Sequence, residues 1–254
     1  MWIRTFHPAP SASLRLVCFP HIGGSASFYF PISAALHPKV EVLAVQYPGR
    51  QDRRAEELLA DVRALADGVL GALGPWLSEP LAFFGHSMGA LVAFEVCRRL
   101  EGETGVEPVV LVASGMRAPS RRHAGEVGVG EDIAGVLASL KRLGGTDQEI
   151  LDGNEDFIRL VLPVLEADHT AMVSYHSPPE LALSCPITVF VGDRDPIIPL
   201  DVAQAWSEHT TGGFDLHVFG GDHFYLNSLR TATISKLSEV LWVSKSFGHG
   251  SDDE

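Results

Sequence analysis

Phe83-Phe84-Gly85-His86-Ser87-Met88-Gly89-Ala90-Leu91 carries the chain from an apolar run into a helical one across a Gly-x-Ser-x-Gly turn. Residues 81–84 are continuously apolar, which suits a strand buried on both faces, and residues 88–100 repeat apolar side chains at helical spacing. A serine on so sharp a strand-to-helix turn is held in a strained backbone. Glycines two residues to either side admit neighbouring chain without a Cβ clash, and the helix N-terminus beneath favours developing negative charge. Outward from this turn the same alternation recurs. Apolar runs at 14–19, 40–45, 109–113, 187–191 and 214–219 read as strands, and helical patterns at 54–73, 202–209 and 228–243 lie between or after them. Strands alternating with helices predict an α/β protein with a mostly parallel, doubly wound sheet, in which ligands bind at the carboxyl ends of the strands.

The alternation lapses between about residues 118 and 184. There Ile133, Leu137, Leu140 and Leu143 share one helical face, and Phe157, Leu160, Val161 and Val164 share another. The stretch is longer than one crossover needs, which favours a helical lid inserted at about 120–184 over an ordinary pair of crossover helices. The whole chain, 1–254, is expected to form one domain, with the polar, acidic tail 248–254 frayed.

Composition excludes several function classes. With 32 acidic residues against 19 basic and a formal net charge of −13, the chain is a poor partner for nucleic-acid phosphates. No stretch approaches the roughly 20 apolar residues that span a bilayer, and Met1-Trp2-Ile3-Arg4 does not open a signal peptide, so a cytoplasmic protein without membrane partners is expected. Cys18, Cys97 and Cys185 lack metal-ligand or redox spacing and read as buried reduced thiols. No metal and no cofactor is expected.

A serine hydroxyl needs a base to become a nucleophile, and in strand-turn-helix enzymes of this type the chain order is serine, acid, histidine. Among eleven histidines, His223 in Gly220-Gly221-Asp222-His223-Phe224 is best placed, on a loop after the last strand. The acid should follow the preceding strand, where Gly192-Asp193-Arg194-Asp195-Pro196 offers two aspartates. Asp195 is preferred because it sits further into the turn, whereas Asp193 is close enough to the strand to hold the loop. His86 adjoins the serine in sequence, but its side chain is expected to point elsewhere. The amide of Met88 should donate one hydrogen bond to a tetrahedral intermediate, and the glycine-bearing loop Phe19-Pro20-His21-Ile22-Gly23-Gly24 should supply the second.

Taken with Tyr47-Pro48-Gly49-Arg50, these segments resemble, in order and spacing, the type II thioesterases that serve polyketide synthases and nonribosomal peptide synthetases. That resemblance implies an α/β-hydrolase fold, a triad of Ser87, Asp195 and His223, and an oxyanion hole made by the amides of Ile22 and Met88. Ile22 stands where such proteins often carry alanine. The implied activity is hydrolysis of acyl groups from the phosphopantetheine arm of acyl or peptidyl carrier proteins, clearing stalled or mis-primed synthases. An esterase or lipase-like hydrolase could use the same triad on oxygen esters. A noncatalytic binding protein on this fold would typically have lost a triad member.

Two further expectations concern substrate and partner. Leu137, Leu140, Phe157 and Val161 are candidates to line an acyl chamber beneath the lid. Carrier proteins of the implied family are acidic, as is this chain, so docking needs a local basic surface. Arg50, Arg53 and Arg54 form one candidate group and Arg117, Arg121 and Arg122 another, both following predicted strands. Pairing with the chain's own acids is the alternative for either group.

Overall fold

The computed structural model describes residues 1–121 and 155–247. Seven strands form one sheet: β1 (Ile3–Arg4), β2 (Arg15–Phe19), β3 (Glu41–Val45), β4 (Leu81–His86), β5 (Val110–Ser114), β6 (Ile187–Gly192) and β7 (Phe214–Phe219). Their order is β1-β3-β2-β4-β5-β6-β7, antiparallel only at β1. Around it lie helices α1 (Phe30–Leu36), α2 (Val62–Leu73), α3 (Met88–Thr104), α4 (Glu155–Ser174), α5 (Leu200–Gln204), α6 (Tyr225–Ser228) and α7 (Arg230–Phe247).

Every residue of β2 to β6 is buried, as continuous apolar runs require of strands covered on both faces. Successive side chains point to opposite faces. Val17, Phe83, Leu111 and Val189 therefore join the core beneath α2 and α3, while Leu16, Phe84, Val112 and Phe190 join a second core beneath α1 and α7. Cys18, Cys97 and Cys185 are free and buried, and burial pushes each thiol up.

Three short elements, β1, α1 and α6, escape the sequence reading, and α2 starts later than expected. Asp61 caps α2, its side chain accepting the Ala64 amide at 2.9 Å, so the segment from residue 54 to the cap is not helical. From β2 the chain steps to β3 on one side, then crosses to β4 on the other. The order reverses between β2 and β4, and the crevice at the carboxyl ends of those neighbours is where a doubly wound sheet binds ligands.

Candidate active site

Ser87 lies between β4 and α3 at φ 53° and ψ −127°, a backbone region that costs a non-glycine residue about 1–3 kcal/mol. Two hydrogen bonds hold it there: its amide to the Ser114 carbonyl at the end of β5, and the Ala90 amide to its own carbonyl, both 2.8 Å. The flanking glycines are steric necessities. A Cβ on Gly85 would stand 2.2 Å from the Gly89 carbonyl oxygen, and one on Gly89 would stand 2.1 Å from that of Phe19. Thus α3 presses against the end of β2, bringing the serine turn alongside the loop from Pro20 to Gly24.

His223 follows β7 and is buried with Asp195, its Nδ1 lying 2.7 Å from Asp195 Oδ2. The other carboxylate oxygen accepts the amides of Ile197 at 2.9 Å and Ile198 at 3.2 Å. Arg117 steadies this turn by donating to the Ile197 carbonyl at 3.2 Å. Asp193 serves the loop instead, its Oδ1 accepting the Gly221 amide at 2.8 Å. The two loops can meet because Gly192 has no side chain: a Cβ there would be 2.4 Å from the carbonyl oxygens of Gly221 and Asp222. A Cβ on Gly115, the residue after the carbonyl that holds Ser87, would come within 3.3 Å of the His223 ring. The serine turn and the histidine loop therefore converge on the end of β5.

Two more histidines stand beside this group. The His86 ring lies 5.2 Å from that of His223, contrary to the expectation that it points elsewhere, because its Nδ1 is drawn 2.9 Å from Ser114 Oγ. His21 packs 5.9 Å from His86 and 5.0 Å from Phe224. Burial, then the charges of His223 and Arg50, pull His21 down to about 3. Burial, then His223 and His21, lower His86 as well. Both rings are consequently neutral near pH 7.

In the loop from His21 to Gly24, the Gly24 amide donates to the His21 carbonyl at 2.9 Å. Ile22 is half-buried beside this turn, and the Met88 amide stands at the first turn of α3, where backbone donors have no partner within the helix. The sequence reading missed Asp168, on α4. It is fully buried, accepts the Gly23 amide at 2.8 Å, and pairs with Arg50.

That pairing removes Arg50 from the docking candidates, since its guanidinium is buried between Asp168 and the Pro48 carbonyl. Arg53 is likewise buried, donating to the Gln46 carbonyl and Glu56 and packing over Trp2. Arg117 is 2% exposed and donates to the Ile197 carbonyl in the turn that bears Asp195. Only Arg54 and Arg121 of the described candidates are exposed, and Arg121 pairs with Glu208. Arg122, Leu137 and Leu140 lie outside the described residues, as does the side chain of Phe157. Val161 is half-buried on α4. The buried face of that helix is built instead by Val164, Leu165, Asp168 and Ala171, and Leu160 is 64% exposed. Among the described residues, no cluster of His, Cys, Asp or Glu could hold a metal ion, and no helix is long and apolar enough to cross a membrane.

A strained serine at the switch point of this sheet, with a carboxylate-bound histidine on the loops beside it, defines a serine hydrolase of the α/β-hydrolase fold. More narrowly, the sequence matches the thioesterase domain family over residues 14–241, and the chain belongs to that family. It is 49% identical over 246 residues to the thioesterase PikA5 of Streptomyces venezuelae, covering 96% of this chain and 87% of that protein. Among solved structures it is similar to the type II thioesterase BorB from the borrelidin biosynthetic cluster, at 44% identity and a TM-score of 0.85, over 94% of this chain and 97% of BorB. The RedJ thioesterase from the prodiginine pathway of Streptomyces coelicolor superposes with a TM-score of 0.83 at 35% identity, over 92% of this chain and 87% of RedJ.

Proposed function

We propose that this thioesterase works beside a polyketide or nonribosomal peptide synthase, hydrolysing acyl groups from the phosphopantetheine arm of carrier proteins through an acyl-enzyme on Ser87. The observation that carries the reading is the buried contact between His223 Nδ1 and Asp195 Oδ2 at 2.7 Å, next to the strained serine turn. Asp195 holds the imidazole with Nε2 free to act as base, and stabilises the imidazolium that forms. Ser87 Oγ attacks the thioester carbonyl as His223 takes its proton. The carbonyl oxygen, now carrying the negative charge, is received by the amides of Ile22 and Met88. Neutral His21 and His86 do not compete for the proton, since their basicity is depressed by burial.

Collapse of the tetrahedral intermediate breaks the carbon–sulfur bond. A thiol of pKa about 8.5 leaves as thiolate with little assistance, and the His223 proton neutralises it. Water then repeats the sequence, giving up a proton to His223 as it attacks the acyl-enzyme; the acid departs and Ser87 recovers its proton. Of the helical lid expected at about 120–184, residues 122–154 lie outside the described residues, and the described part includes α4.

The test compares an acyl carrier protein, a small acyl-thioester mimic and the matched oxygen ester as substrates, with Ser87→Ala as control. The carrier-bound thioester should be turned over fastest. The variant should lose at least roughly a thousandfold in rate while remaining folded. Faster turnover of the oxygen ester would replace this reading with an esterase, and near-normal turnover by Ser87→Ala would remove Ser87 from the mechanism.

A further inference from the structure

Gly23 and Asp168 are 145 residues apart in sequence, and a buried hydrogen bond of 2.8 Å joins them. From this contact we infer that Asp168, neutralised by Arg50, is a positioning residue for the oxyanion loop, selecting the turn conformation that presents the Ile22 amide to substrate. The inference rests on the oxyanion assignment of the proposed function.

The geometry of the turn makes the case. His21 to Gly24 is closed by the Gly24 amide donating to the His21 carbonyl at 2.9 Å, and Gly23 has φ +70°. A hydrogen-bonded turn with positive φ at its third residue is of the type II kind, which differs from type I chiefly by a flip of the central peptide. That central peptide, between Ile22 and Gly23, carries the amide hydrogen that Asp168 accepts. Its carboxylate thus holds the flipped orientation. The preceding peptide, whose carbonyl is engaged by Gly24, carries the Ile22 amide on its opposite edge. Fixing both planes fixes the direction of that donor.

A bare carboxylate so near a developing oxyanion would oppose the reaction. Arg50 neutralises it, and Arg50 is itself held by the Pro48 carbonyl at 2.6 Å within the Tyr47-Pro48-Gly49-Arg50 turn. Leu165 of α4 also packs close to the oxyanion loop. A Cβ on Gly23 would be 2.6 Å from Leu165 Cδ2, and one on Gly49 would be 3.5 Å from Val164 Cγ2. Helix α4 is therefore fastened to the proposed catalytic machinery by one ion pair, one amide hydrogen bond and the close approach of Leu165 to Gly23.

The experiment measures kcat and KM of the full chain and of Asp168→Ala, Asp168→Asn and Arg50→Gln on a small acyl-thioester mimic and on its dithioester, in which sulfur replaces the carbonyl oxygen. Sulfur is a weaker acceptor on a longer bond, so a well-aimed oxyanion hole favours the oxygen substrate. Rates are taken per folded enzyme, from circular dichroism and thermal melting. Asp168→Ala should lose on the order of tenfold to a hundredfold in kcat with KM within about twofold, and its preference for oxygen over sulfur should shrink. Asp168→Asn, which keeps an acceptor for Gly23 and has the gentler effect on folding, should lie between Asp168→Ala and the parent in both readouts. Arg50→Gln leaves a buried carboxylate unpaired, and adding Asp168→Asn to it should restore part of the rate. If Asp168→Asn and Asp168→Ala keep the parental oxygen preference, whether or not they lose stability, Asp168 is structural and the inference is overturned. Failure of the serine mechanism on which it rests is separate: a serine-directed phosphonate would then leave Ser87 unlabelled in the parent protein.

Discussion

Asp193 and Asp195 occupy one turn after β6 and divide its work: Asp195 Oδ2 lies 2.7 Å from His223 Nδ1, while Asp193 Oδ1 accepts the Gly221 amide at 2.8 Å. Asp195→Asn should therefore lower kcat by at least roughly a hundredfold with little loss of stability, because the amide no longer stabilises an imidazolium. Asp193→Asn should do far less to kcat. Steady-state kinetics of the two variants check the division, and the reverse ranking would move the acid to Asp193.

The glycines of the serine turn should behave unlike those elsewhere in the helices. Gly89→Ala forces a methyl into the Phe19 carbonyl, and should cost about 1–3 kcal/mol of stability and most of the activity. Gly71→Ala on α2 meets open space, and should raise stability by roughly 0.4–1 kcal/mol with activity unchanged. Thermal melting and turnover of both variants make the comparison.

Acid should destabilise the fold well before most carboxylates titrate. His21 is lowered to about 3 and His209 to about 4, mainly by burial, and burial lowers His86 as well. Their folded values lie below the unfolded value near 6.5, so the unfolded chain binds more protons below that pH. The stabilising contribution of buried His21 is full above about 6.5 and declines as pH falls towards about 3, at up to about 1.4 kcal/mol per pH unit, with His209 and His86 acting in the same direction. Urea unfolding between pH 7.5 and 5 should show this slope, and His21→Asn should flatten it.

Docking, if it uses the candidate arginines in the described residues, falls to Arg54 and Arg121, the two exposed ones. Charge reversal at each, Arg54→Glu and Arg121→Glu, should slow hydrolysis of an acyl carrier protein severalfold and weaken its salt dependence, leaving the small mimic unaffected. Arg121 must also leave Glu208 to meet a partner. Equal effects on both substrates, or none, would exclude that residue from docking.

The main features legible in the sequence were those written locally. Six apolar runs led to six of the seven strands, all within a residue or two of their ends; β2 to β6 are buried along their whole length and need a nearly continuous apolar segment, while the edge strand β7, mostly half-buried or exposed, carries Asp215 and His217 between its apolar residues. The serine turn was legible because strand, glycines, serine and helix are consecutive. The two-residue β1 and the seven-residue α1 were too short to make a periodic pattern.

Sequence alone determined six of the sheet's strands, the turn that bears Ser87 and a short list of possible partners; tertiary structure decided the strand order and what each polar residue touches. An arginine reads as surface until its partner is found, and Arg50 finds Asp168 only across 118 residues of chain. Asp168 interrupts the apolar stripe of α4, so a search for hydrophobic periodicity passes over it. His86 turns towards His223 because Ser114 on the neighbouring strand draws its ring there. Periodicity follows from local backbone geometry and can be read along the chain. Charge pairing depends on which strand ends and helices meet, and that is set only when the sheet closes around its crossovers.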